Sequence, residues 1–169
     1  MSDAETHFDQ NDPLAQPKYM PRWYPVNVLF ETDSSGGVTA GQLSDGSVTI
    51  NNADFLLRKI TAAVVGFSNI DYTAASIPPG SSALDAVVNP VGFQFKWYTD
   101  SHSYMTQPCD IVAAVGSAQF TWKTPSPVLL MPKATASFDV TNTLPRSGSV
   151  LLQFVLHGVE PAAAYPRRY

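Results

Sequence analysis

The residues of this chain whose types could do chemistry are few. Asp100-Ser101-His102 contains an acid, a hydroxyl and an imidazole in one run. A working triad holds the imidazole between acid and nucleophile, a geometry that three adjacent loop residues do not readily form. The other histidines, His7 and His157, are distant in sequence, and no His-x-His or His-Glu-x-x-His occurs. A converging metal site of the cupin-barrel kind is therefore not expected. Cys109 lies between Pro108 and Asp110, with only His102 near it. Activating a thiol takes a base or a positive field, so an inert cysteine is the expectation. Asp33-Ser34-Ser35-Gly36-Gly37 is not followed by the Gly-Lys-Ser/Thr of a phosphate-binding loop. Trp23, Tyr24, Trp97, Tyr98, Tyr104 and Trp122 could stack on sugar rings, although Trp97 and Trp122 fall in register with phenylalanines of a core. No catalytic, cofactor-binding or metal-binding residue is expected, and the chain reads as a protein that is not an enzyme.

Composition narrows the class further. The chain has 169 residues, 44% of them hydrophobic and only 14% charged. Globular chains average about 25% charged. So low a share implies either a large core or a surface covered by partners. The net charge of -4, with adjacent basic pairs only at Arg58-Lys59 and Arg167-Arg168, gives no nucleic-acid footprint. A single cysteine rules out an internal disulfide and makes a reducing cytoplasm the natural place of folding. Met1 to Gln10 is polar and acidic, unlike a signal peptide. The apolar runs Ala62–Phe67 and Val150–Leu156 are too short to cross a bilayer, so no membrane partner is expected.

The positioning elements read as short strands. Val26, Val28 and Phe30 alternate with Asn27, Leu29 and Glu31, and Phe93, Phe95 and Trp97 alternate with Gln94, Lys96 and Tyr98. Gln119–Lys123, Ala134–Thr141 and Val150–His157 repeat the pattern, the last strand ending at Gly158. Ser44-Asp45-Gly46-Ser47 reads as a turn. Asn52–Phe67 fits a helix through Phe55, Leu56, Ile60, Ala63 and Val64. It also fits a strand face through Leu56, Arg58, Ile60, Ala62 and Val64, which the neighbouring strands favour. Ser76–Pro90 is a connection in which Ser82 could cap one turn, and Asp110 could cap another over the following apolar residues. The spacing predicts an all-β, antiparallel β-sandwich over residues 23–169, burying Phe93, Phe95, Trp97, Phe120, Trp122, Phe138 and Phe154. Residues 1–22, with Asp3, Glu5, Asp9, Asp12 and three prolines, read as an extended or disordered N-terminal arm. Phe8, Leu14, Tyr19 and Met20 are its candidate partner contacts.

Met131-Pro132-Lys133-Ala134-Thr135-Ala136-Ser137-Phe138-Asp139-Val140-Thr141-Asn142, followed by Val150 to Gly158, resembles β-sandwich structural proteins of tailed-phage virions. These include capsid decoration (cement) proteins, vertex proteins and head-fibre bases. Ala53 to Ile60 resembles a further strand of that group, and the likeness covers about half of the chain. The resemblance implies a jelly-roll-like sandwich, oligomers on a shell surface and no enzymatic activity. It carries over no site residue, because its positions are core and turn. The expected function is that of a capsid-associated virion protein made in the host cytoplasm. Its expected partners are itself, as a trimer or pentamer joined through strand edges, and the major capsid protein or other virion proteins. The alternative is a carbohydrate- or ligand-binding module such as a tail or fibre domain.

Overall fold

Alternation of apolar and polar residues becomes two large antiparallel sheets and one two-stranded ribbon, Gly37–Val38 with Arg146–Ser147, in the computed structural model, which describes residues 19–51, 53–67, 90–115 and 123–161. The strands are β1 (Tyr19–Phe30), β2 (Gly37–Val38), β3 (Leu43–Thr49), β4 (Phe55–Phe67), β5 (Phe93–Thr99), β6 (His102–Ser103) and β7 (Cys109–Asp110). After the short helix α1 (Ile111–Val115) come β8 (Lys123–Leu130), β9 (Thr135–Asn142), β10 (Arg146–Ser147) and β11 (Val150–Pro161). The first sheet has the order β1-β11-β4-β8 and the second β3-β9-β5-β6, with β7 also on β5. β9 takes one edge of β5 along its whole length, so β6 and β7 share the other. Each early strand thus pairs with a late one, β1 with β11, β3 with β9 and β4 with β8, and each pair bridges the rest. That nesting is the jelly-roll form of the sandwich.

Between the sheets lie wholly buried rings. Phe138 sits 4.5 Å from Phe154 and 6.2 Å from Trp97, and Phe95 sits 5.5 Å from Phe154, centroid to centroid. Each such ring contributes about 4–6 kcal/mol of gross burial at roughly 25 cal/mol per Å². The expected strands over 93–98, 134–141 and 150–157 are present. Phe120 and Trp122, with the rest of 119–122, lie outside the described residues, as do the connection Ser76–Asn89, the His7 position and the trailing residues from Ala162.

Four sequence expectations shift. β1 begins at Tyr19 rather than Trp23, and Tyr19–Arg22 pair with Gly158–Pro161 of the same chain. Ser44–Ser47 is not a turn but the middle of β3, in register with Ser137–Val140. Gly46 is needed there because β1 crosses close: an added Cβ would strike the Asn27 carbonyl and come within 2.9 Å of Val28 Cγ2. Gly158 likewise does not end β11, which runs on to Pro161. It lies at a β-bulge, where an added Cβ would collide with the Leu56 carbonyl and the Phe55 ring. β4 is a strand, but its inward face changes phase at that bulge. Phe55 and Leu57 are buried, then Ile60, Ala62 and Val64, while Arg58 is exposed. A bulge inserts one residue into a period of two. That is why this segment imitated a helix in the sequence.

Edges are handled by side chains. β11 occupies one edge of β1 throughout. Along the other edge, Gln42 Nε2 donates to the Glu31 carbonyl at 3.0 Å and Ser44 Oγ to the Leu29 carbonyl at 2.6 Å, and Gly46 abuts the Asn27 carbonyl. Residues stepping up by two on β3 meet carbonyls stepping down by two on β1, which closes that side of the sandwich. On the opposite side, pairing of β8 with β4 breaks between Val128 and Lys123, the stretch holding Pro125 and Pro127, which have no N–H to donate.

Candidate functional site

The residues singled out from the sequence do not converge. Asp100 Oδ2 accepts a bond from the Thr135 amide at 2.9 Å, which anchors the start of β9. His102, exposed on β6, presents its ring edge-on to Tyr104 at 4.6 Å, and Tyr104 stacks on buried Trp97 at 4.1 Å. Cys109 is half-buried on β7, and burial, then the Asp110 charge, pushes its thiol pKa up, the direction that keeps it protonated. Asp110 itself caps α1, accepting from the Val112 amide at 2.9 Å, as its sequence position suggested. Tyr98 is half-buried and donates to Asp139 at 3.1 Å. Among the described residues no group of three His, Cys, Asp or Glu side chains could hold a metal ion, and no helix is long and apolar enough to cross a membrane. Of the arm contacts, Phe8 and Leu14 lie outside the described residues. Tyr19 and Met20 are strand residues opposite Pro161 and Glu160, both exposed.

One polar cluster was missed. Arg22 and Tyr24 share the inward parity of Val26, Val28 and Phe30, and Glu160 shares that of Leu156. Tyr24 Oη donates to Glu160 Oε1 and accepts from the Asn51 amide at 3.2 Å, while Arg22 Nε lies 3.2 Å from Glu160 Oε2. Burial, then the bond to Glu160, raises the Tyr24 pKa, so the phenol stays a donor. Both carboxylate oxygens are engaged, so the group ties β1 to β11 where the hydrophobic stripe runs out. The signal was there: polar residues continuing the apolar parity at matching ends of two strands. Asn142 does a similar job at another strand end. Its Nδ2 donates to Thr39 and Leu144 carbonyls and its Oδ1 accepts from Arg146 Nε. Arg146 also reaches the Val91 carbonyl and lies over the Phe93 ring at 4.2 Å.

The surface feature that stands apart is the outer face of the first sheet. The register builds it in rows: Leu29 beside Leu151, Pro25 beside Val155 and Thr61, Trp23 beside His157 and Lys59, and Pro21 beside Val159, Leu56 and Leu129. Trp23 is 62% exposed, Leu129 54% and Leu29 46%, with Tyr19 and Val65 also exposed. Polar groups within the face bond to each other: Gln153 Nε2 donates to Asn27 Oδ1 at 3.1 Å, and Thr61 Oγ1 lies 2.9 Å from His157 Nε2. Burial, then the Lys59 charge, lowers the His157 pKa and favours a neutral ring there. An antiparallel sheet with one face in the core ordinarily turns a polar face outward. This sheet also carries large apolar side chains outward, in rows between the polar ones.

No protein-family model, no curated protein and no solved structure matches the chain.

Proposed function

We propose that the chain is a non-enzymatic structural protein of a virus particle, associated with the capsid as a decoration, cement or vertex protein that stabilises or decorates the shell. The outer face of the first sheet carries this reading. Large apolar side chains exposed together on one sheet face mark an interaction site rather than a free surface. The jelly-roll order and the resemblance of Met131–Asn142 and Val150–Gly158 to phage virion proteins support the particle context, jelly rolls being frequent in capsids and in lectins alike. The test is co-sedimentation of the purified chain with the source particle, followed by cryo-electron microscopy. Stoichiometric binding at defined shell positions supports the reading, and failure to bind any shell removes it. Exposed Trp23 and Tyr19 favour a second reading, a carbohydrate-binding module. Retention on a glycan array that is lost in Trp23→Ala selects it.

A further inference from the structure

We infer that the outer face of the first sheet is a self-association surface, covered by the same face of a second copy across a two-fold axis. The inference rests on the reading above that this face is an interaction site and deepens it by naming a second copy as its occupant, which leaves other surfaces of the pair to meet the shell. Three observations carry it. The first is the use of the strand edges. β1 has β11 on one side and the Gln42, Ser44 and Gly46 side of β3 on the other, and β8 is interrupted at Pro125 and Pro127. Copies joined through the β1 edge would have to displace existing contacts, and at the β8 edge two prolines offer no N–H, whereas among the described residues nothing covers the sheet face.

The second is the chemistry of the face. Its amide pair, Asn27 with Gln153, and its hydroxyl–imidazole pair, Thr61 with His157, each make one bond laterally within the face. The Asn27 Nδ2 hydrogens and the second Nε2 hydrogen of Gln153 are left for the partner, and a second copy of the face brings Gln153 Oε1 as an acceptor for them. What the partner must also supply is apolar surface for Trp23, Pro25, Leu29, Leu129, Val155 and Val159. A long side chain such as Lys59 tolerates a cover by laying its stem along the face with its amine at the rim.

The third is size. A strand of 12 residues such as β1, at about 3.3 Å per residue, beside three more strands at about 4.8 Å spacing, spans on the order of 700 Å². A standard protein–protein interface takes about 800 Å² from each partner. One further copy of the same face supplies matching area, matching apolar character and matching twist, and sheets stack face to face at about 10 Å with strands inclined by roughly 30°. A contact of a surface with itself is isologous and closes at two copies.

The experiment is sedimentation equilibrium of the full chain over a range of concentrations. It compares the wild type with Trp23→Glu, Leu129→Glu and, as a control on exposed β3, Leu43→Glu. Circular dichroism of each establishes that it is folded, and the two face variants are independent should one of them misfold. A two-copy mass is expected for the wild type and for Leu43→Glu. Each folded face variant should raise the dissociation constant about a hundred-fold or more. A wild type that is monomeric at every concentration, a mass of three or five copies, or a dimer indifferent to both face variants overturns the inference. So does a monomer that pairs only after residues 1–18 are removed, since its own N-terminal residues would then cover the face. Particle binding is measured alongside. A monomer that binds the shell removes the pairing and leaves the proposed function, and a dimer that binds no shell does the reverse.

Discussion

Tyr24 shows how much one side chain settles when it is buried with two partners. Its hydroxyl serves Glu160 as donor and the Asn51 amide as acceptor. Tyr24→Phe leaves a buried carboxylate short of a donor and an amide short of an acceptor, and should cost about 1–3 kcal/mol in urea denaturation. Combined with Glu160→Gln, the losses should be less than additive, because both act on one bond. His157 gives the pH dependence. Its folded pKa lies below the ordinary 6.5 because burial and Lys59 oppose its charge. Between the two values the unfolded chain binds a proton that the folded chain refuses, so stability rises with pH through that window. Acidifying from neutrality should therefore lower the thermal midpoint, with no further loss from this residue below its folded pKa. His157→Gln, titrated in parallel, should lack that component. Equal slopes in the two proteins would show that His157 is not its source.

At the scale of the element, the glycines inside strands mark where one piece of backbone crosses another. Gly46 has no positive φ and makes no turn. It lets β3 lie against the carbonyl edge of β1. Gly46→Ala places a methyl group into the Asn27 carbonyl and the Val28 side chain, and overpacking of this kind costs about 1–3 kcal/mol. Hydrogen exchange locates the damage: amides of β1 and β3 should exchange faster in the variant while those joining β5 and β9 keep their protection. Uniform acceleration across both sheets would mean that the crossing is not a separable unit. The bulge at Arg58 is the companion device. It lets Phe55 and Leu57 point inward on one side of it and Ile60, Ala62 and Val64 on the other.

For the molecule as a whole, stability rests on the ring cluster between the sheets. Phe138 is fully buried on β9, beside Phe95 and Trp97 of the neighbouring β5 and facing Phe154 across the core. Phe138→Ala should lower the unfolding free energy by about 3–5 kcal/mol, read from the shift of the denaturation midpoint at unchanged slope. A cost near zero would place the ring outside the cooperative core. The same architecture leaves large apolar side chains on the far side of the first sheet. Core and candidate interface are then two faces of the same four strands, and β11 serves both with alternate residues.

Much of this was legible because a strand writes its burial in a period of two. Phe93, Phe95 and Trp97, and then Ala136, Phe138 and Val140, declared their faces without reference to any other segment. The cap at Asp110 was equally local. What the sequence could not contain is which strand lies beside which. Gly46 and Gly158 looked like punctuation because a glycine's meaning depends on the backbone opposite, and that backbone comes from Asn27 and Leu56, distant in the chain. Arg22, Tyr24 and Glu160 become one cluster only through the pairing of β1 with β11. The outer face is a property of neighbours too. Trp23, Val155 and Leu129 are single apolar residues in three separate strands, and only the order β1-β11-β4-β8 joins them into a surface.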